Sequence, residues 1–220
     1  SPYKLNVSKF VLSLQTSYQY DSNGNITSKQ TATSFKQQPS SNKSFAGTTQ
    51  LAYNNVAVNT AAGAKNTVSF WMNWDGSEVV MPIGWGTAYD LFFSSGGYFG
   101  FNTGEGNVIG ISSAGLKNNW VYVTAVFTNG VPNATSNELY INGIKQTLTQ
   151  AIGVTTGNRV VTGSFFISGW GVDSGYKFKG KLGDVEVWNR ALTQQEIQSN
   201  MNNNLAGTEN GLVGYWKITE

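Results

Sequence analysis

The sequence contains neither cysteine nor histidine. Those two absences together exclude thiol nucleophiles, the Ser/His/Asp triad and thiolate or imidazole zinc sites. Any metal would have to be held by oxygen, which favours calcium, a cation that takes carboxylates and backbone carbonyls in flexible geometry. Charge is scarce too. Asp, Glu, Lys and Arg make up 12% of the 220 residues, about half the usual quarter. The formal net charge of +2 is spread without a cluster, so nucleic acid and anionic membrane surfaces are not expected partners. No apolar run approaches the roughly 18 residues that span a bilayer, and Ser1-Pro2 does not resemble a signal peptide.

Asn, Gln, Ser, Thr and Gly take the place of the missing charge. Such a surface suits neutral hydroxylated ligands, because amides and hydroxyls match other hydroxyls without the cost of stripping water from an ion. Hydrophobic residues at 40% and aromatics at 13% supply a sizeable core, and one domain over residues 1–220 is the expected organisation. Alternating segments recur along the chain at Tyr3–Val7, Phe10–Leu14, Thr67–Met72, Trp120–Phe127, Glu138–Ile141 and Ser164–Ile167. Alternation with period 2 marks half-buried strands. Turn residues separate them at Asp21–Asn25, Thr128–Gly130 and Asn142-Gly143, the last predicting a type I′ hairpin. Thr27–Ser44, polar and poor in aliphatics, reads as a long loop or a weak strand crossing the sandwich edge. Thr193 followed by Glu196 makes a capping box for one short helix ending near Met201. The expected fold is all-β, a two-sheet antiparallel β-sandwich or jelly roll with one short helix near the C-terminus.

Seven tryptophans are many for one domain of this size. Trp71, Trp120, Trp188 and Trp216 lie within alternating strands and are expected in the core. Trp85 and Trp170 differ, because glycines flank both, in Gly84-Trp85-Gly86 and Gly169-Trp170-Gly171. Glycine neighbours leave a ring exposed and let a loop approach a ligand, so these two are candidate stacking platforms, with packing over the end of the sandwich as the alternative. Tyr89 is a third candidate, since its ring can stack and its hydroxyl can bond. In the hairpin from Tyr89 to Asn102, alternation places Leu91 and Phe93 on the Tyr89 side and Asp90 and Phe92 on the other, with Phe99 and Phe101 facing the core. Asn102 then offers donor and acceptor to vicinal hydroxyls, or serves as a turn residue. Asp90 accepts from a ligand hydroxyl, or closes a turn.

Three stretches carry a resemblance to a known family. They are Asn66–Met72, then Trp120–Val123 followed by Glu138–Gly143, and finally Gly180–Thr193 running into Gln195-Glu196-Ile197. Together they resemble the laminin-G-like, concanavalin-A-like jelly rolls of bacterial glycanases, lectins and pentraxin-like proteins, over roughly residues 45–216. Residues 1–44 exceed a minimal module of this type and are read as additional N-terminal strands and a loop. The stretches Ile83–Phe93 and Gly97–Asn107 are similar to the β-1,4-galactan-binding modules of bacterial galactanases. The resemblance implies a non-catalytic carbohydrate-binding module of a secreted bacterial glycanase, monomeric within a larger protein and binding polysaccharide or oligosaccharide, for which the residues read above, Trp85, Tyr89, Asp90, Asn102 and Trp170, are the expected contacts. It also implies a structural Ca2+ at Asp184, the alternative being an Asp hydrogen-bonded to a neighbouring loop. Two other readings stand beside it. One is the receptor-binding domain of an adhesin or toxin. The other is an endo-acting glycoside hydrolase, for which Asp184 and Glu186 at spacing 2 come nearest to the carboxylate pair required.

Overall fold

The computed structural model describes the backbone of residues 15–20 and 26–32, and residues 38–219 in full. The strands expected at Tyr3–Val7 and Phe10–Leu14, and the turn at Asp21–Asn25, lie outside the described residues. The chain divides into two compact units, Ser1–Lys36 and Gln37–Glu220. In the first, β1 (Gln15–Tyr20) pairs antiparallel with β2 (Ile26–Ala32). Of Thr27–Ser44, expected to be a long loop or a weak strand, the part within β2 is strand.

The second unit begins with β3 (Lys43–Ala46), β4 (Leu51–Tyr53), β5 (Lys65–Trp74), β6 (Val80–Trp85), β7 (Tyr89–Phe93), β8 (Tyr98–Asn102) and β9 (Val108–Ser112). It continues through β10 (Trp120–Thr128), β11 (Glu138–Ile141), β12 (Ile144–Lys145), β13 (Thr149–Ile152), β14 (Phe165–Ile167) and β15 (Lys179–Trp188). Helix α1 (Gln194–Asn202) and β16 (Leu212–Trp216) complete it. Among the described residues these strands form two seven-stranded antiparallel sheets. One runs β12-β11-β10-β5-β15-β16, with β3 also paired to β15. The other runs β13-β9-β8-β7-β6-β14-β4.

Period-2 alternation determines which residues lie between the sheets. Val68, Phe70 and Met72 of β5 and Val121, Val123, Ala125 and Phe127 of β10 meet Tyr89, Leu91 and Phe93 of β7 and Phe99 and Phe101 of β8 in one core. The ring of Phe93 stacks on Trp74 at 3.9 Å and on Phe99 at 4.3 Å. The outer face of the first sheet carries a second, smaller cluster of Trp71, Tyr122, Tyr140 and Trp188, which α1 closes with Ile197. Thr193 is the N-cap, and its capping box with Glu196 is formed in both directions. Asn142 and Gly143, at φ 51° and 73°, join β11 to β12 as a type I′ turn requires. No helix among the described residues is long and apolar enough to cross a membrane.

Candidate carbohydrate site

On the outer face of the other sheet the chain itself covers the middle strands. Across it, opposed residues form a row, Asn102 beside Asp90, Asp90 beside Gly84, and Gly84 beside Phe166. The segment 168–177 folds back over this row. Ser168 N–H donates to Pro82 O and Gly169 N–H to Met81 O, while Met81 N–H donates to Tyr176 O at 2.7 Å. A Cβ on Gly84 would stand 2.9 Å from Trp170 Cα. Glycine is thus what lets the backbone at Trp170 rest directly on the sheet. The ring of Phe166 similarly lies where a side chain on Gly171 would go.

Between this segment and the 103–107 loop lies a cleft of about 130 Å³, lined by Met81, Phe92, Asn102, Thr103, Gly104, Gly106, Trp170 and Tyr176. Three aromatic rings form a connected wall. Trp170 meets Tyr176 edge to face at 5.6 Å, and Tyr176 meets Phe92 likewise at 6.0 Å. Trp170 is half-buried, and Tyr176 is exposed at the rim. The 103–107 loop is fixed from beneath by the Thr103 hydroxyl, which donates to Asn107 Oδ1 at 2.6 Å, and from outside by the ion pair of Glu105 with Arg159.

The polar groups at the cleft are few and buried. Asn102, 4% exposed, donates through Nδ2 to both Asp90 oxygens, at 3.1 and 2.9 Å. Its Oδ1 has no protein partner, and neither does the buried Nε1–H of Trp170. A buried polar atom left unpaired costs about 1–3 kcal/mol, and these two, an acceptor and a donor, belong to residues that line the cleft. Asp90 is fully buried, and loss of hydration pushes its carboxyl up to about 7 despite the opposing bond from Asn102. The site is consequently short of charge where a ligand would sit.

Of the five residues expected to bind, the structure brings Asn102 and Trp170 into one cleft and places Asp90 beside Asn102. Trp85 and Tyr89 belong elsewhere. Trp85 is 1% exposed and packs between Phe127 at 4.7 Å and Phe165 at 5.1 Å, so it is a core residue and not a platform. Tyr89 is 0% exposed. Its hydroxyl donates to Thr128 O at 2.9 Å, and burial pushes it up to about 12. Met81, Phe92, Thr103 and Tyr176 were not anticipated as lining residues. For Phe92 the period-2 pattern already gave the face it shares with Asp90.

Asp184 sits at a bulge in β15 with φ 45°, and its oxygens accept from Ser40 N–H at 2.7 Å and from the hydroxyls of Ser40 and Ser41 at 2.8 and 3.3 Å. Donors converging on a carboxylate are the wrong complement for a cation, which needs further oxygen acceptors. No group of three or more acidic side chains suited to a metal occurs among the described residues. The donor set does not fit calcium; it ties the segment before β3 to β15. Glu186, the second carboxylate of a hydrolase reading, is 3% exposed and accepts from the Tyr122 hydroxyl and Trp188 Nε1. It lies with the residues that α1 covers.

Two antiparallel sheets packed as a sandwich, with one short helix, make a lectin-like jelly roll. Residues 45–198 match the model of the concanavalin A-like lectin/glucanases superfamily, and the chain belongs to that family. Among solved structures, it is similar to a candidate carbohydrate-binding protein from Bacteroides ovatus, with 20% identity and a TM-score of 0.54. That match covers 76% of this chain and 49% of the other, so the chain spans about half of that structure's length. Domain 4 of an extracellular arabinanase from Geobacillus stearothermophilus, in complex with arabinotriose, is similar at 16% identity and a TM-score of 0.46, covering 86% and 82% of the two chains. A heptameric pentraxin from Limulus polyphemus is similar at 17% identity and a TM-score of 0.47, covering 84% and 94%. No curated protein matches the chain in sequence.

Proposed function

We propose that this chain is a non-catalytic carbohydrate-binding module, that the cleft between segment 168–177 and the 103–107 loop is its sugar site, and that the ligand is β-1,4-galactan. The observation that carries the reading is the pairing of an aromatic wall with an unpartnered acceptor and donor, Asn102 Oδ1 and Trp170 Nε1–H. A pyranose presents an apolar C–H face and hydroxyls that both donate and accept, which is the complement of such a wall. Neutral polar composition and the family support the class. The likeness of Ile83–Asn107 to galactanase modules supports galactan, and with it a secreted bacterial glycanase as the parent protein.

Affinity of about micromolar or weaker is expected, since a few contacts must offset the ordering of a flexible polymer. The test is affinity electrophoresis and calorimetry on galactan, xylan, mannan and β-glucan, with Trp170→Ala and Asn102→Ala alongside. Retention by galactan, weakened about tenfold in both variants, is the expected result. Binding that neither substitution disturbs would place the sugar elsewhere on the molecule.

A further inference from the structure

We propose that Asp90 is a positioning residue that holds the Asn102 amide with its acceptor oxygen free for the ligand, making the site selective for a sugar hydroxyl that donates. This rests on the reading of the cleft as the sugar site. An amide can be turned end for end with little change of shape, so something must decide whether its oxygen or its nitrogen is left to the ligand. Here the decision lies with Asp90. An ionised carboxylate only accepts, and both of its oxygens take the Nδ2 of Asn102, at 3.1 and 2.9 Å. Only Oδ1 is left unpartnered, and the bond to the carboxylate polarises the amide and strengthens that acceptor.

The arrangement reverses when Asp90 gains a proton. Its O–H then donates, Oδ1 of Asn102 can turn to accept it, and the cleft is left with N–H donors from Asn102 and Trp170. A ligand hydroxyl loses its acceptor. Asp90 titrates in a neutral setting. Beside it on β6 (Val80–Trp85) there is no ionisable residue, and β8 contributes only Tyr98 at its far end. The segment over the sheet carries Asp173, Tyr176 and Lys177, and the loop beyond Asn102 carries Glu105, paired with Arg159. Burial and Asn102 alone set the Asp90 carboxyl at about 7, so the reversal falls in an accessible range. Because Asp90 is already 0% exposed, a neutral ligand removes little further water from it.

The experiment is calorimetry with β-1,4-galactotetraose at pH 5 to 9 on the wild type, Asp90→Asn and Asn102→Ala. Wild-type affinity is expected to rise about three- to tenfold across that range, one hydrogen bond's worth. Asp90→Asn should be flat, and Asn102→Ala weak and flat. In addition, the Asn102 side-chain amide resonances of the unmutated protein, identified by their loss in Asn102→Ala, should shift with a midpoint near pH 7. If the wild type binds through Asn102 but shares its pH profile with Asp90→Asn, or if those resonances do not move between pH 5 and 9, the positioning role is overturned while the sugar site stands. If the wild type binds no galactotetraose at any pH, or Asn102→Ala leaves binding intact, the site reading fails and this role fails with it.

Discussion

Replacing Asp90 by Asn should make the protein more stable relative to wild type as the pH rises, and the size of the effect follows from burial. The folded carboxyl titrates at about 7 against an ordinary value of 3.8. Between those values the folded state keeps a proton that the unfolded state has released. Wild-type stability from this group is therefore fully present below about pH 4 and is lost as the pH climbs to 7. About 3 pH units at 1.36 kcal/mol each give a loss of ~4 kcal/mol. Asn at position 90 has no charge to bury and is spared that loss, though it exchanges a carboxylate acceptor for a weaker amide one. The measurement is urea unfolding of both proteins at pH 3.5, 5, 6 and 8, followed by tryptophan fluorescence. The difference in unfolding free energy should grow with pH up to about 7 and then level off. A difference constant to within about 1 kcal/mol over the whole range would show that Asp90 ionises as readily in the fold as out of it.

Trp85→Ala is expected to cost about 3–5 kcal/mol of stability, as truncation of a buried ring does, and to lower the thermal midpoint, whereas Trp170→Ala should weaken sugar binding with a much smaller shift; the reverse pattern would restore Trp85 as a platform. Gly84→Ala forces a methyl against Trp170 Cα, 2.9 Å away, and should cost about 1–3 kcal/mol and reduce affinity by displacing segment 168–177; unchanged melting and binding would count against the packing described. Asp184→Ala strips three hydrogen bonds from Ser40 and Ser41 and should destabilise by about 1–3 kcal/mol, while chelator leaves the wild-type midpoint where it was. A clear fall with chelator would reinstate a calcium at Asp184. Thr193→Ala should remove about 1 kcal/mol by uncapping α1, read in the same melts.

The fold was legible wherever local chemistry decides local structure. Asn142-Gly143 supplies the two positive φ values of a type I′ turn, and Thr193 with Glu196 closes the box that starts α1. The long alternating strands β5 and β10 announce their inner faces directly, and the Tyr89–Asn102 hairpin places Phe99 and Phe101 inside as its period requires. Less legible was the stretch Thr27–Ser44, because β2 and β3 gain their order from pairing partners and not from their own apolar content. For β3 that partner is β15, far along the chain, and pairing over such separation leaves little local trace.

The site shows where such reading stops. Counting by twos from Val80 puts Trp85 outside, but β6 shifts register against β7 between Val80 and Ile83, and one extra residue turns every later side chain to the opposite face. Ile83 and Trp85 go inward, and Trp85 lands opposite Tyr89, which shares its face with Leu91 and Phe93. The partner strand thus held the better clue: a Tyr in phase with two core residues is core, and its opposed Trp must be as well. The glycines beside Trp85 misled for a related reason. Gly84 does leave room, but the room is taken by the chain itself at Trp170. A glycine on the outer face of a sheet marks close approach of something, and whether that is ligand or backbone depends on a segment about 85 residues away, which no local pattern reports. What glycine did foretell at Gly169 and Gly171 was the second half of the same contact, since both hold positive φ and let the loop lie flat. The aromatic ring offered to a ligand is therefore the one carried by the crossing segment, Trp170, and the ring beneath the sheet, Trp85, serves to keep that sheet in place.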